Sequence, residues 1–151
     1  MAIRDLQSSD LDALLGLYAH LRAADDRRPE PTAIQAIWRE IMANPCYRHF
    51  GVHDGQRLIS TCTLAVIANL TRGCRPYGLI ENVVTHPDFR DRGHGTAVLA
   101  HAVNQAWSQR CYKVMLLTGR TDEARLCASM KAPASIGEAS RGSSPGLRRD
   151  P

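Results

Sequence analysis

Residues 78–103 read GLIENVVTHPDFRDRGHGTAVLAHAV, and the order of residue types along this stretch sets the architecture. Leu79, Ile80, Val83 and Val84 form an apolar, β-branched run that predicts a strand. The HPDF segment closes it, and Arg90-Asp91-Arg92-Gly93-His94-Gly95-Thr96 follows. Beyond Thr96 the apolar positions Val98, Leu99, Ala102, Val103, Ala106 and Trp107 recur at spacings of three and four, which predicts a helix over 96–110. CYKVMLLTG at 111–119 then predicts a second strand, placed at Tyr112–Thr118. A strand, a crossover helix and a strand make two parallel neighbours and put the intervening loop at the carboxyl end of the first, where ligands of such sheets sit. Two glycines at a loop-to-helix junction allow close backbone approach or positive φ, and free N–H groups at a helix start attract anions. A phosphate is the expected ligand. The spacing R-x-x-G-x-G is neither the dinucleotide fingerprint G-x-G-x-x-G nor a P-loop.

The rest of the chain extends this α/β pattern. AIRDLQ (2–7) reads as a short strand and SSDLDALLGLYAHLR (8–22) as a helix behind a serine or aspartate cap. TAIQAIWREIMAN (32–44), with Pro31 at its start, predicts a helix presenting Ile34, Ile37, Trp38 and Ile41 on one face. In YRHFGVHDGQRLISTCTLAVI (47–67) the Asp54-Gly55 pair marks the turn of a hairpin, and the loop 68–77 leads back to the opening stretch.

At 151 residues the chain suits one domain, assigned to residues 1–130, with a low-complexity tail over 131–151. No apolar run reaches membrane-spanning length and no secretory leader pattern opens the sequence, so a cytoplasmic location without membrane association is expected. Five scattered cysteines, none in a C-x-x-C spacing, read as reduced and mostly buried thiols, with no metal site. The net charge of +4 suits a small polyanion through a local patch; a nucleic-acid partner is disfavoured by an aromatic content of 5%.

The stretch GLIENVVTHPDFRDRGHGTAVLAHAV resembles the acetyl-CoA-binding core of the GNAT superfamily of N-acetyltransferases, in which a strand of this type leads into Q/R-x-x-G-x-G/A and a long helix. The resemblance implies a mixed, mostly antiparallel sheet with a central parallel strand pair, flanked by helices. It implies acetyl-CoA as donor, its diphosphate cradled by Arg90, Asp91, Arg92, Gly93, His94, Gly95 and Thr96. Its pantetheine arm is expected along Asn82, Val83 and Val84, where the two parallel strands diverge, with a backbone N–H near Val83 polarising the thioester carbonyl. Glu81 is the implied general base that frees a primary amine for direct attack in a ternary complex; a strand carboxylate paired with an arginine is the alternative. His86 reads as a turn residue, and His49, His53 and His101 have no metal-ligand spacing. Tyr18 and Trp38 read as core packing before substrate contact, and Asp25, Asp26 and Glu30 as a solvated turn. The acceptor is a small-molecule or peptide amine.

The C-terminus departs from the family. No Phe or Tyr follows Tyr112, so the F-Y-E-like motif and its proton-donating tyrosine are missing. Reading the last base of each codon with the first two of the next converts Leu126 onward, with permitted codon choices, into L-R-F-Y-E-S-A-G-F-D-R-G. A frameshift near Ala124 to Leu126, leaving the C-terminal elements altered or missing, is the expectation. Its consequences are an uncovered sheet flank, a homodimer or borrowed strand, and weakened catalysis. A coenzyme A-binding module with impaired catalysis is therefore the rival reading, and a small basic nucleic-acid binder a third.

Overall fold

The structure, a computed structural model, describes residues 2–21 and 29–116. Five strands form one sheet in the order β1-β2-β3-β4-β5: β1 (Ala2–Asp5), β2 (Tyr47–Asp54), β3 (Arg57–Ile67), β4 (Tyr77–Thr85) and β5 (Val114–Leu116). The first three pairings are antiparallel and β4–β5 is parallel, with Gly78, Leu79 and Ile80 opposite Val114, Met115 and Leu116. This is the mixed, mostly antiparallel sheet that the family resemblance implied. The expected strand 112–118 is narrower, because Tyr112 and Lys113 lie outside the ladder and Leu117 and Thr118 outside the described residues. The expected tail, domain boundary at 130 and frameshift also fall outside them.

Helix α1 (Leu11–Tyr18) and α2 (Pro31–Ala43) lie over one face of the sheet, and α4 (His94–Ser108) over the other; α3 (Thr71–Cys74) is a single turn in the loop after β3. Paired residues on neighbouring strands share a face, which divides the interior into two cores. Phe50, Val52, Cys62, Leu64 and Ile80 pack under Val98, Leu99, Ala102, Val103 and Ala106 of α4. Leu58 and Val84 pack with Leu6, Leu14, Leu17 and Trp38 beneath α1 and α2.

Several local expectations are corrected. Ile37 is 56% exposed while Trp38 is buried. Ile37 and Trp38 stand 100° apart on the helix, and the larger indole takes the inner position, with Nε1 donating to the Ser8 carbonyl at 3.1 Å. Asp10 precedes α1 but does not cap it; its carboxylate accepts from the Gln7 N–H at 2.7 Å and pairs with Arg4 at 2.7 Å. Cys46 and Cys74 are exposed, and Cys62 and Cys111 buried, so the cysteines divide evenly. Cys127 lies outside the described residues. The hairpin turn is where Asp54-Gly55 placed it, with Gly55 at φ +57. Among the described residues no helix is long and apolar enough to cross a membrane.

Candidate active site

Strand β4 is irregular where the sequence placed its chemistry. Thr61 pairs with Val84 and Thr63 with Glu81, so Asn82 and Val83 together stand opposite Cys62. This is a β-bulge, which leaves backbone groups out of the ladder and bends the strand. Asn82 takes the left-handed conformation (φ +52) and is exposed. Asparagine tolerates that region better than a branched residue. Val83 turns toward the α4 core and Val84 toward the α1 core. Glu81, half-buried, stands on the α1 face beside Thr63, which pairs with His49 on β2.

The end of β4 is held by Ser60, whose Oγ donates to the Val84 carbonyl at 3.1 Å and lies 2.8 Å from Thr85 Oγ1. His86 then opens a 3-10 turn (Pro87–Phe89), its ring accepting from the Asp88 N–H at 3.3 Å, which agrees with a turn role. Arg90 Nε donates to the Thr85 carbonyl at 3.2 Å and fixes the chain's exit. Asp91 (φ +58) and Gly93 (φ +80) are both left-handed, and the chain reverses into α4 with Gly93 as its N-cap. The helix starts at His94, two residues before the expected Thr96, so Gly95 and Thr96 belong to its first turn. The first N–H groups of a helix have no carbonyl partner within it and carry its positive end.

The two glycines serve different needs. A Cβ on Gly93 would meet nothing within 4 Å, so its requirement is the positive φ alone. A Cβ on Gly95 would lie 3.2 Å from Thr85 Oγ1, so there the requirement is space between α4 and β4.

A third arginine joins this turn. The Arg57 guanidinium, from the first residue of β3, stands 5.1 Å from the Phe89 ring centroid, and that of Arg92 stands 5.5 Å from it. The Arg57 guanidinium also stands 3.0 Å from His86 Nε2. Among the described residues neither Arg57 nor Arg92 has an ion-paired carboxylate. Positive charge thus accumulates on an aromatic ring beside a helix N-terminus, an arrangement suited to a polyanion. Nothing in the sequence pointed to Arg57, because strand pairing, not sequence proximity, brings it to the loop.

Burial pushes the Cys62 thiol, opposite the bulge, up to about 12, and its Sγ faces the Val98 carbonyl at 3.6 Å. Tyr18, at the end of α1, has its hydroxyl among the side chains of Thr63 and Asn82; burial raises its pKa, and those two contacts only moderate the rise. Among the described residues no three His, Cys, Asp or Glu side chains gather to hold a metal.

The sequence profile of the Acetyltransferase (GNAT) family matches residues 12–129, a span that includes the bulged strand, the glycine turn and α4. The chain belongs to this family. A glucosamine 6-phosphate N-acetyltransferase of Trypanosoma brucei brucei is 32% identical over 116 residues, 77% of this chain and 78% of that protein. Among solved structures, an Agrobacterium tumefaciens str. C58 protein provisionally described as an acetyltransferase is 36% identical, with a TM-score of 0.79 over 94% of this chain and all of that one. Glucosamine-6-phosphate N-acetyltransferase from Arabidopsis thaliana shares the fold at 20% identity, with a TM-score of 0.77 over 92% of this chain and 96% of that one.

In this GNAT chain the residues singled out from sequence fall into two groups joined by β4. Glu81, Asn82, Val83 and Val84 form and flank the bulge, and Arg90 to Thr96 form the turn into α4. Trp38 belongs to the core and Tyr18 packs against it, its hydroxyl on the side of Thr63 and Asn82. Asp25 and Asp26 lie outside the described residues.

Proposed function

We propose that this chain is an acetyl-CoA-dependent N-acetyltransferase that passes an acetyl group to a primary amine by direct attack in a ternary complex. The observation that carries the reading is the continuity of the bulge at Asn82–Val83 with the glycine turn at the head of α4. A strand with backbone groups free of the ladder suits an extended acyl-pantetheine arm, and the basic turn at its end suits a diphosphate. When bound, acetyl-CoA supplies the activated acyl carbon. The N–H groups of residues 91–95, with Arg57, Arg90 and Arg92 around them, would bind the diphosphate; the Arg90 N–H, expected among these donors, is instead bonded to the Pro87 carbonyl at 3.2 Å. The N–H near Val83 would orient and polarise the carbonyl. Glu81, on the α1 face beside the bulge, would take a proton from the incoming ammonium and leave the amine nucleophilic.

Direct attack is favoured over an acyl-enzyme because Cys62, the cysteine at the bulge, is a buried, protonated thiol turned to the opposite face. The relative named for glucosamine 6-phosphate makes an amino-sugar phosphate the first acceptor to try. In a thiol-release assay with acetyl-CoA and an amine panel, turnover is expected. Glu81→Gln should lower kcat by tenfold or more while leaving acetyl-CoA affinity within about twofold, and unchanged kcat would remove Glu81 from the role. Arg57→Ala should weaken acetyl-CoA binding by roughly three- to tenfold at low salt and less at high salt, read by calorimetry.

The second reading, a coenzyme A-binding module with impaired catalysis, is favoured by the absence of any Phe or Tyr after Tyr112. Acetyl-CoA binding without turnover on any amine would select it. The homodimer expected from the altered C-terminus rests on residues beyond 116 and is read by light scattering.

A further inference from the structure

Between α1 and the region where β3 begins and β4 ends, the surface opens into a cleft of about 280 Å³. The buried side chains of Leu17 and Leu58 give it an apolar wall, and His20, Gln56, Arg57 and His86 supply its polar lining. Among the described residues that line it there is no carboxylate. A run of ring and guanidinium contacts ties this cleft to the turn into α4. The His20 and His86 rings meet edge to face at 4.9 Å, His86 meets Phe89 at 5.8 Å, and Arg57 and Arg92 stand 5.1 and 5.5 Å from the Phe89 centroid.

Two observations point to a ligand that only accepts hydrogen bonds. His86 has a donor at each ring nitrogen: the Asp88 N–H lies 3.3 Å from Nδ1, and Arg57 Nη2, which has hydrogens and no acceptor site, lies 3.0 Å from Nε2. A neutral imidazole has one acceptor nitrogen and an imidazolium has none, so at least one of these donors is aimed at an N–H. An anion in the cleft removes the conflict, because it accepts from the guanidinium and from the ring together. The Asp88 carboxylate does not fill that place, since it stands on the Nδ1 side of the ring at 3.7 Å. The second observation is Gly16. A glycine inside a helix is destabilising relative to alanine, yet a Cβ at Gly16 would meet nothing within 4 Å and its φ is not positive. Neither packing nor backbone geometry within the described residues requires a glycine there; the bare Cα keeps the cleft open.

We propose that this cleft binds a phosphomonoester, the 3′-phosphate of the coenzyme, through Arg57 and His86 with His20 at its rim. The proposal deepens the acetyltransferase reading above and rests on it. Asn82 at the bulge and His86 at the cleft are four residues apart in the chain, about 13 Å at the rise of a strand. An amine and a phosphate carried on one hexose ring are closer together than that, so an acceptor whose amine lies at the bulge does not reach the cleft. Coenzyme A carries its phosphomonoester one ribose beyond the diphosphate, and the diphosphate belongs to the turn that Arg57 adjoins. On binding, Arg57 exchanges the His86 ring for phosphate oxygens, and His86 Nε2–H donates to the same group. These residues thereby select coenzyme A against its 3′-dephospho form.

Calorimetry on the full chain with coenzyme A and 3′-dephospho-coenzyme A tests this without turnover. Wild type should bind coenzyme A at least fivefold more tightly, and a smaller ratio would overturn the proposal. Gly16→Leu fills the cleft and removes no charge, whereas Arg57→Ala removes the cation. Each should bring the ratio below half its wild-type value; a ratio above half in either would overturn the cleft as the site. Gly16→Leu is used only if it melts within a few degrees of wild type, and Arg57→Ala stands alone otherwise. Arg92→Ala, on the turn but outside the cleft, should weaken both ligands and keep their ratio within twofold. A ratio lost there as well would reduce the effect to general basicity and overturn the proposal. If Gly16→Leu spares the ratio and raises only the KM of glucosamine 6-phosphate, the ester belongs to the acceptor and the coenzyme assignment falls. Binding of neither coenzyme form would instead overturn the proposed function.

Discussion

Asn82 carries the conformational cost of the bulge. At φ +52 an asparagine is tolerated, a glycine relaxed and a β-branched residue strained. Asn82→Val should therefore destabilise the protein by about 1–3 kcal/mol, whereas Asn82→Gly should stay within about 1 kcal/mol of wild type, both read from denaturant midpoints. Cys62, two strand positions from Leu64 in the wholly buried core, holds its proton up to about 12. At neutral pH a thiol-specific reagent should modify the exposed Cys46 and Cys74 within minutes and leave Cys62 unmodified until unfolding. Rapid native-state labelling of Cys62 would contradict its place under α4. The arginine pair on Phe89 follows a different logic: Arg92 was legible as part of a basic motif, while Arg57 reached the same ring only through the β3–β4 pairing.

Among the elements, the junction of β4 with α4 holds both glycines, and their substitution separates two physical causes. Gly93→Ala places a Cβ at φ +80, with open space around it, and should cost about 1 kcal/mol from the backbone alone. Gly95→Ala gains roughly 1 kcal/mol of helix propensity but presses on Thr85 Oγ1. Its net effect on stability should be within about 1 kcal/mol, read from melting curves. If acetyl-CoA binds through this turn, Gly93→Ala should weaken affinity more than stability, since it turns the N–H groups away from one point. The amphipathic pattern of α2 marked a helix correctly but not its rotation, because Ile37 and Trp38 compete for one inward position and only the fit of the indole against Ser8 and His49 decides between them.

For the whole molecule, acid stability reports the tie between β1 and the start of α1. The Arg4 guanidinium, bonded to Asp10, holds that carboxyl below the usual carboxylate range. Because the folded pKa is depressed, the unfolded chain binds the proton first as pH falls. The contribution is complete above the unfolded value of about 3.9 and disappears as pH drops through the folded one. Asp10→Asn should flatten the stability profile over that acidic window and leave its slope above pH 5 unchanged. The lowered His49 pKa acts in the same sense at higher pH: its share is complete above about 6.5 and is lost on acidification toward the folded value.

The linear chain by itself determined which segments become strands and helices around β4, since alternation, helical spacing and a glycine-rich junction are properties of neighbouring residues. It also marked the family, through contiguous residues of one strand, turn and helix. Which residues share a site was decided only by the tertiary structure. Sheet register sets Glu81 beside Thr63, the bulge turns Asn82 outward, the end of α1 brings His20 against His86, and the β3–β4 pairing carries Arg57 to Phe89. Those neighbours are joined by hydrogen-bonded ladders and packing between segments far apart along the chain, and no local spacing rule encodes such distances.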